Sequence, residues 1–347
     1  MRMNLRVGFA RCLVVAMVWL GASAAAQAQE SKLVLRVADH FPPSGHPTVE
    51  GATRYWMEQV TRQTGGQVEF QYYPAEQLGK SKDMLSLAQS GVADITAPLP
   101  SIISDKMPLS LVAELPGSFS SSCAGTLAYF KLARDGILAR EEFAPLGVRV
   151  LFSSMFPPYQ LLTKKKFTSL KDLEGLKIRT AGGAKDLAAI RVKGVPVRMA
   201  APEVYESLSR GTIDAIVWPL SGLATYNLHN LVRFSTFEEN FGNVVINYVI
   251  SEDRFKKLPQ QVQRIMLRVG EEATRRACAM VDSKEAGNIE ALKRLGITMV
   301  ALPAAERAEL QNLLKTVAVE WAEGLDKRGR PGSEVVKAFN EALRQPR

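Results

Sequence analysis

The sequence contains little histidine and little cysteine, and these shortages exclude several classes of catalytic site. Three histidines and three cysteines occur among 347 residues. No serine lies in a Gly-x-Ser-x-Gly turn, so a Ser-His-Asp hydrolase is not indicated. Gly182-Gly183 lacks the spacing of a phosphate-binding or dinucleotide-binding loop. No nearby cysteine or carboxylate completes a ligand set with His40 and His46, so we expect no metal site. We also expect that the protein has no other cofactor and is not an enzyme.

Long apolar runs are also scarce. The apolar run at residues 12–20 is too short to span a bilayer. Three arginines precede it and small residues follow it, a pattern typical of a cleavable secretory signal peptide. We therefore predict a signal peptide over residues 1–28, cleavage after Ala28, and a mature protein of 319 residues in the periplasm. A membrane anchor is the alternative.

Basic residues outnumber acidic ones, and removal of the signal peptide would lower the formal net charge from +9 to +6. A mild positive excess helps to attract anions. Residues 164–166 are three consecutive lysines without interleaved aromatics, which indicates a solvated loop and no nucleic-acid partner. Cys123 and Cys278 would remain after cleavage, and an oxidising compartment permits a disulfide between them. Two separate buried thiols are equally compatible with the sequence.

Strand and helix patterns alternate twice along the chain, which predicts an α/β fold with two lobes. In each lobe we expect a mostly parallel sheet flanked by helices. The strands are predicted at 32–38, 68–73, 93–96, 177–180, 195–199 and 212–217, and the helices at 48–64, 83–90, 186–192 and 204–210. Gly91-Val-Ala-Asp94 and Gly211-Thr-Ile-Asp214 each follow a short helix, a weak sign that the lobes are internal repeats.

Two extended segments, 148–162 and 243–250, are predicted to be hinge strands that cross between the lobes. A helical pattern over 262–295 would reach about 50 Å and bridge both lobes. A strand at 297–302 and two C-terminal helices are expected to pack on the second lobe. The predicted division is 29–156 plus 244–284 for lobe I, and 157–243 plus 285–347 for lobe II.

Four motifs in a fixed order carry a resemblance to a known family. They are His46-Pro47, Tyr73-Pro-Ala-Glu-Gln-Leu-Gly79, Asp172-Leu-Glu-Gly-Leu-Lys-Ile-Arg179 and Gly211-Thr-Ile-Asp214. With them the chain resembles the DctP-type solute receptors of tripartite ATP-independent periplasmic (TRAP) transporters. The resemblance implies a two-lobed periplasmic binding protein that closes on a small organic acid. It also implies delivery to the TRAP membrane subunits, driven by an ion gradient. We expect a monomer, because no long C-terminal extension is present.

Arg179 and Trp218 are the strongest candidates for ligand binding. Arg179 ends a predicted strand, where open α/β sheets place ligands, and its planar fork matches a carboxylate. The resemblance implies that this arginine clamps the ligand's carboxylate. Trp218 offers a flat apolar wall and one N–H donor, at a position where many family members have asparagine. The keto-acid branch has glutamate before this tryptophan to hold a cation, whereas this chain has Val217, so no bridging metal is expected.

Further candidates lie at the hinge strands and after the first strand: Tyr159, Gln160, Phe241, Asn243, His40 and Phe41, with Ser153 and Ser154 as weaker ones. Trp218 and Phe241 are predicted to sandwich the ligand, and Gln160 or Asn243 to contact a polar group. The incoming hinge strand lacks a second arginine, which indicates one carboxylate on the ligand. An aromatic or apolar-bodied monocarboxylate is therefore favoured, and a short keto or hydroxy acid is next.

Two other functions are compatible with the sequence. An adaptor that presents the same ligand to a membrane sensor kinase would have the same binding residues. A periplasmic enzyme acting on organic acids would need an acid–base or nucleophilic constellation, which the sequence does not reveal.

Overall fold

The computed structural model describes residues 32–345, so the predicted signal peptide lies outside the described residues. The elements in chain order are β1 Leu33–Ala38, α1 Arg54–Gln63, β2 Val68–Tyr73, α2 Met84–Gln89, β3 Ile95–Thr96, α3 Ser122–Arg134, β4 Val148–Met155, β5 Gln160–Thr163, β6 Lys177–Thr180, α4 Ala184–Arg191, β7 Val195–Arg198, α5 Val204–Ser209, β8 Ala215–Trp218, β9 Phe234–Thr236, β10 Val245–Ser251, α6 Glu252–Lys256, α7 Gln260–Arg294, β11 Thr298–Val300, α8 Ala304–Asp326 and α9 Gly332–Leu343. Within residues 32–345, none of these helices has the length and apolar character needed to cross a membrane.

Lobe I is built on a five-stranded sheet with the order β2-β1-β3-β10-β4. Strand β1 runs parallel to β2 and β3, while β10 runs antiparallel to β3 and β4. Leu35 and Val37 of β1 are buried and the intervening residues are less so, as the alternating sequence predicts. The parallel part of this sheet is the β-α-β-α-β unit expected from the sequence.

Lobe II is built on a six-stranded sheet with the order β11-β9-β5-β8-β6-β7. Strand β6 runs parallel to β7 and β8, and β9 runs parallel to β11. Strand β5 enters antiparallel between β8 and β9. All four residues of β8 are buried, because helices and loops cover both faces of the sheet there. The α/β class and the two-lobed arrangement are confirmed.

The two Gly-x-x-Asp motifs have the same structural role in the two lobes. Asp94 accepts a hydrogen bond from the Arg36 backbone N–H in β1 (2.7 Å), and its own N–H donates to the Arg36 carbonyl (2.9 Å). Asp214 makes the same pair of bonds with Lys177 in β6, both at 2.9 Å. Each aspartate therefore fixes the register of two neighbouring parallel strands, which explains why the motif recurs.

Helix α7 is 35 residues long and links the lobes, as predicted. Its first two thirds pack on α1, α3 and β4 of lobe I, and Leu292 near its end is buried in the core of lobe II. At Gly270 the helix comes so close to β4 that any Cβ would collide with the Leu151 carbonyl oxygen. Glycine usually destabilises the interior of a helix, but here it permits the close contact between α7 and β4.

A disulfide joins Cys123 of α3 to Cys278 of α7, with 4.7 Å between the Cα atoms. The two cysteines are 155 residues apart in sequence. Of the two states that the sequence left open, the structure has the bridged one. The bond ties the long helix to α3 of lobe I.

The last helix does not pack where the sequence suggested. Helix α8 contacts α4 of lobe II, but α9 packs against α3 of lobe I. Val335 and Phe339 of α9 are buried there, and the Phe339 ring lies 6.2 Å from that of Phe119. The prediction that both C-terminal helices pack on lobe II is wrong for α9. The i, i+4 spacing of its apolar residues predicts a buried face but not which lobe covers it.

Candidate functional site

A cavity lies between the lobes, at the carboxyl ends of β1, β6 and β8. The cavity has a volume of about 80 Å³, more than one water molecule needs. A small organic molecule therefore fits. Its walls are formed by His40, Phe41, His46, Pro47, Glu76, Ser81, Leu99, Ser101, Ile102, Phe156, Tyr159, Arg179, Ala181, Ala200, Ala201, Pro202, Trp218, Pro219, Gly222, Thr225, Tyr226 and Val244.

Arg179 is a buried cation that has no anionic partner among the described residues. Arg179 is the third residue of β6, one before its carboxyl end, and is only 3% exposed. Nε and Nη2 donate to the Met199 carbonyl at 3.2 and 2.8 Å, and the guanidinium carbon lies 4.5 Å from the centre of the Trp218 ring. Among residues 32–345, no carboxylate lies within ion-pair distance of it. Burial lowers the pKa of Arg179 to about 10, so the group remains charged at pH 7.

The turn that follows β6 lies close to lobe I. Gly182 and Gly183 have φ values of +93° and +67°, which favour glycine. A Cβ at Gly182 would lie 2.8 Å from the Ser101 carbonyl oxygen of lobe I. The two glycines therefore allow the backbones of the two lobes to come close together near Arg179.

Aromatic rings form a continuous wall on the lobe I side. The ring centroids of His40 and Phe41 are 3.9 Å apart, and Phe41 stacks on His46 at 3.8 Å. Phe156 meets His46 edge-on at 5.5 Å and Tyr159 at 6.3 Å. On the lobe II side, Trp218 packs edge-on against Tyr226 at 5.4 Å. A flat apolar ligand would contact rings on both sides of the cavity.

The polar groups of the wall are neutral at pH 7, apart from Arg179 and Glu76. Burial lowers the pKa of His40, and it lowers the pKa of His46 to about 3. Burial also raises the pKa of Tyr159, and that of Tyr226 to about 12. Among residues 32–345, the buried nitrogens Nδ1 of His46 and Nε1 of Trp218 have no hydrogen-bond partner.

The structure brings five of the eight predicted site residues to the cavity: His40, Phe41, Tyr159, Arg179 and Trp218. The other three lie elsewhere. Gln160 donates to the Glu239 carbonyl at 2.6 Å and accepts from the Thr236 hydroxyl at 2.8 Å. It points away from the cavity because strand neighbours alternate and Tyr159 takes the inner side.

Phe241 and Asn243 are both fully buried in the hinge segment. The Asn243 carbonyl accepts a hydrogen bond from the Lys185 ammonium at 2.8 Å, and Phe241 packs in the apolar core. The predicted sandwich of Trp218 and Phe241 is therefore corrected, because Phe241 does not line the cavity in this conformation. The weaker candidates Ser153 and Ser154 are also buried, bonded to Asn247 and Thr48.

Phe156 and Tyr226 are two of the cavity residues that the sequence analysis missed. Phe156 directly follows β4, and Tyr226 lies in the loop after Trp218. The sequence could have indicated both, because each is an aromatic residue close to a strand that was expected to end at the site. His46 was considered only as a metal ligand, but it is a wall residue. Within residues 32–345, no group of three metal-ligating side chains is found.

Comparison with known proteins agrees with this architecture. Residues 38–324 match the family model of the bacterial extracellular solute-binding proteins, family 7 (DctP). The C4-dicarboxylate-binding periplasmic protein DctP of Rhodobacter capsulatus is 26% identical over 318 residues, 87% of this chain and 89% of that protein.

Two solved structures show the same fold. A TRAP solute-binding protein of Rhodoferax ferrireducens, in complex with copurified benzoate, has a TM-score of 0.81 and 23% identity over 90% of this chain and 98% of that one. One from Bordetella bronchiseptica, with bound (R)- and (S)-mandelate, has a TM-score of 0.81 and 24% identity over 90% and 99%. Since the family model covers most of the chain, the protein belongs to the DctP family of TRAP solute-binding proteins, which are receptors and not enzymes.

Proposed function

We propose that the protein is a periplasmic receptor for a small monocarboxylate with an aromatic or otherwise apolar body. The observation that carries this proposal is the buried Arg179 guanidinium, which has no carboxylate partner among the described residues. Burying a charge without a partner is costly, and an anionic ligand would supply the partner. Its unoccupied N–H groups suit a bidentate carboxylate contact.

The charge pattern supports one carboxylate rather than two. Arg179 is the one lysine or arginine among the described residues that line the cavity. Glu76, the only acidic wall residue described there, is held as an anion because the Lys80 ammonium and the Ser81 N–H lower its pKa against the effect of burial. A second carboxylate at the lobe I side would therefore meet no cation and one negative charge.

The aromatic wall supports an apolar body. Rings from both lobes face the cavity, and stacking on a tryptophan contributes about 0.5–1.5 kcal/mol beyond the burial of apolar area. Two structural neighbours hold benzoate and mandelate, acids of this kind. The ligand would hold the lobes together by contacting both, and the closed, secreted monomer would deliver it to a TRAP permease.

Thermal unfolding of residues 29–347 with a panel of monocarboxylates and dicarboxylates tests this proposal. A ligand at about 100 times its Kd adds about 2.7 kcal/mol of stability, or about 5–10 °C in Tm. We expect aromatic monocarboxylates to stabilise the wild type and to lose this effect in Arg179→Ala.

Arg210→Ala is the matched control, because Arg210 is an exposed arginine of the same lobe that pairs with Glu206. This variant should respond to ligand as the wild type does. Equal stabilisation of wild type and Arg179→Ala would refute the carboxylate contact. Stabilisation by dicarboxylates alone would refute the monocarboxylate specificity.

A further inference from the structure

The Arg179 guanidinium has one occupied edge and one free end. Its Nε and Nη2 donate to the Met199 carbonyl at 3.2 and 2.8 Å, and its face lies against the Trp218 ring. A guanidinium carries more N–H donors than these, so the end formed by Nη1 and Nη2 is left for a carboxylate. The Met199 carbonyl therefore determines the direction in which Arg179 presents its free donors.

Met199 lies one residue beyond the end of β7, where the strand ladder no longer fixes the backbone. Strands β6 and β7 end opposite one another, at the pair formed by Thr180 and Arg198. The Met199 N–H still donates to the Thr180 carbonyl, at 3.3 Å. A group that orients a ligand-binding side chain needs further hydrogen bonds around it to stay in one place.

Asp186, in the first turn of α4, provides these hydrogen bonds to both strands. Its Oδ1 accepts a hydrogen bond from the Thr180 hydroxyl, and its Oδ2 accepts one from Arg198 Nη2 at 2.7 Å. Thr180 directly follows Arg179, and Arg198 directly precedes Met199. The carboxylate therefore ties together the chain neighbours of the donor and of the acceptor in the Arg179–Met199 contact.

Asp186 acts without touching the ligand. It is not one of the residues that line the cavity, and no ion pair joins it to Arg179. The Asp186 side chain is 21% exposed and that of its partner Arg198 is 52% exposed. An ion pair this exposed contributes little to the stability of a fold. The effect of Asp186 should therefore be larger on binding than on unfolding.

We propose that Asp186 is a positioning residue, which holds the Arg179 guanidinium in the orientation that receives the ligand's carboxylate. This inference rests on the proposed function. A guanidinium that turned away from the Met199 carbonyl would keep its charge but would lose the alignment of a bidentate contact. Substitution of Asp186 should therefore weaken the binding of an acid more than that of a neutral analogue.

Isothermal titration of the mature protein with benzoate and benzamide tests the inference. Benzamide has the same ring but no charge. We expect Asp186→Ala to bind benzoate about tenfold more weakly, the loss of about one charge-assisted hydrogen bond, and benzamide less than about twofold more weakly. Asp186→Asn keeps an acceptor for the Thr180 hydroxyl and should recover part of the benzoate affinity. Equal weakening of both ligands would show that Asp186 only maintains the shape of the cavity, and would overturn the inference.

The orientation of the guanidinium can also be measured without a ligand. The Arg179 Nε–H is buried and hydrogen-bonded, so its NMR signal should exchange slowly with water, and Arg179→Ala identifies the signal by its disappearance. We expect the slowly exchanging signal to be lost in Asp186→Ala. An unchanged exchange rate in that variant would overturn the inference. If Asp186→Ala does not fold, Thr180→Val removes the same hydroxyl contact and is measured in its place.

Glu206→Ala is the control, because it removes a carboxylate that pairs with Arg210 on the exposed surface of lobe II. This variant should keep the affinities and the NMR signal of the wild type. The two proposals fail differently. Failure of the wild type to bind any monocarboxylate would overturn the proposed function, whereas the exchange measurement would still decide whether Asp186 holds Arg179.

Discussion

Replacing Lys185 with methionine tests a buried ion pair that joins the two lobes. Lys185 lies in the first turn of α4 in lobe II, and its ammonium contacts the Glu114 carboxylate of lobe I. Both side chains are completely buried. Lys185 also donates to the Asn243 carbonyl at 2.8 Å, and the second oxygen of Glu114 accepts from the Val245 N–H at 3.3 Å. The pair therefore links both lobes to the second hinge strand.

Lys185→Met should destabilise the folded protein, because it removes the cation and leaves the Glu114 carboxylate in place. The Glu114 carboxylate would stay buried without its cation, and its hydrogen bond from the Val245 N–H is long. Removing one partner of a buried ion pair costs about 3–5 kcal/mol, which corresponds to about 6–20 °C in Tm. Replacing both partners, in Lys185→Met with Glu114→Gln, leaves no unpaired charge and should recover much of this loss.

The loss of stability in Lys185→Met should depend on pH, and the burial of Glu114 determines the direction of that dependence. Burial raises the pKa of Glu114, and Lys185 opposes that rise. Without Lys185 the pKa of Glu114 rises further, so the folded variant binds a proton more readily than the unfolded one. Lowering the pH through that raised pKa therefore stabilises the folded state, and the Tm deficit should shrink from pH 8 to pH 5.

Thermal unfolding at pH 5, 6, 7 and 8 measures both effects. Lys193→Met is the control, because Lys193 is exposed and pairs with Glu174 on the surface of lobe II. That variant should stay within about 0.5 kcal/mol of the wild type. A deficit below about 2 °C for Lys185→Met, or one that does not change with pH, would refute the reasoning.

Three further predictions concern the cavity wall, the disulfide and the hinge. Trp218→Leu should weaken binding of the stabilising acid about tenfold in a titration, since it removes the stacked ring; unchanged affinity would show that the indole only packs. Replacing Cys123 and Cys278 by serine should cost about 2–5 kcal/mol in denaturant unfolding, because the bridge closes a loop across 155 residues; an unchanged midpoint would contradict this. Gly242→Ala should lower Tm, because φ is +112° and a Cβ would lie 2.7 Å from the Glu114 carbonyl oxygen; a neutral effect would show that the hinge backbone shifts freely.

Much of the fold was predictable because local patterns and tertiary burial agree. Strands β2 and β6 begin and end where the alternation and the flanking glycines and proline place them. The helix predicted over 48–64 is present, although its first turn, Val49–Thr53, has π-helical geometry. The placement of α9 on lobe I was not predictable, since its apolar face carries no information about its partner.

Part of the cavity lining was predictable, where a residue lies at or just beyond the carboxyl end of a strand. Trp218 ends β8, Arg179 is one residue before the end of β6, and His40 and Phe41 follow β1. Phe241, in contrast, lies in a hinge segment whose orientation depends on long-range contacts such as that of Lys185. Nothing in the local sequence specifies that contact. The ligand-binding roles of the wall residues stay predictions until the titrations are made.

The position of β10 in lobe I has a consequence for how the protein is made. This strand, Val245–Ser251, lies between β3 and β4, although it follows five of the six strands of the lobe II sheet in the chain. Until it is added, β3 and β4 each lack the neighbour that satisfies their backbone hydrogen bonds. The first lobe to be synthesised therefore cannot complete its sheet until residue 251 of 347 has emerged. A nascent chain that has exposed only its first half should remain protease-sensitive and unable to close on a ligand.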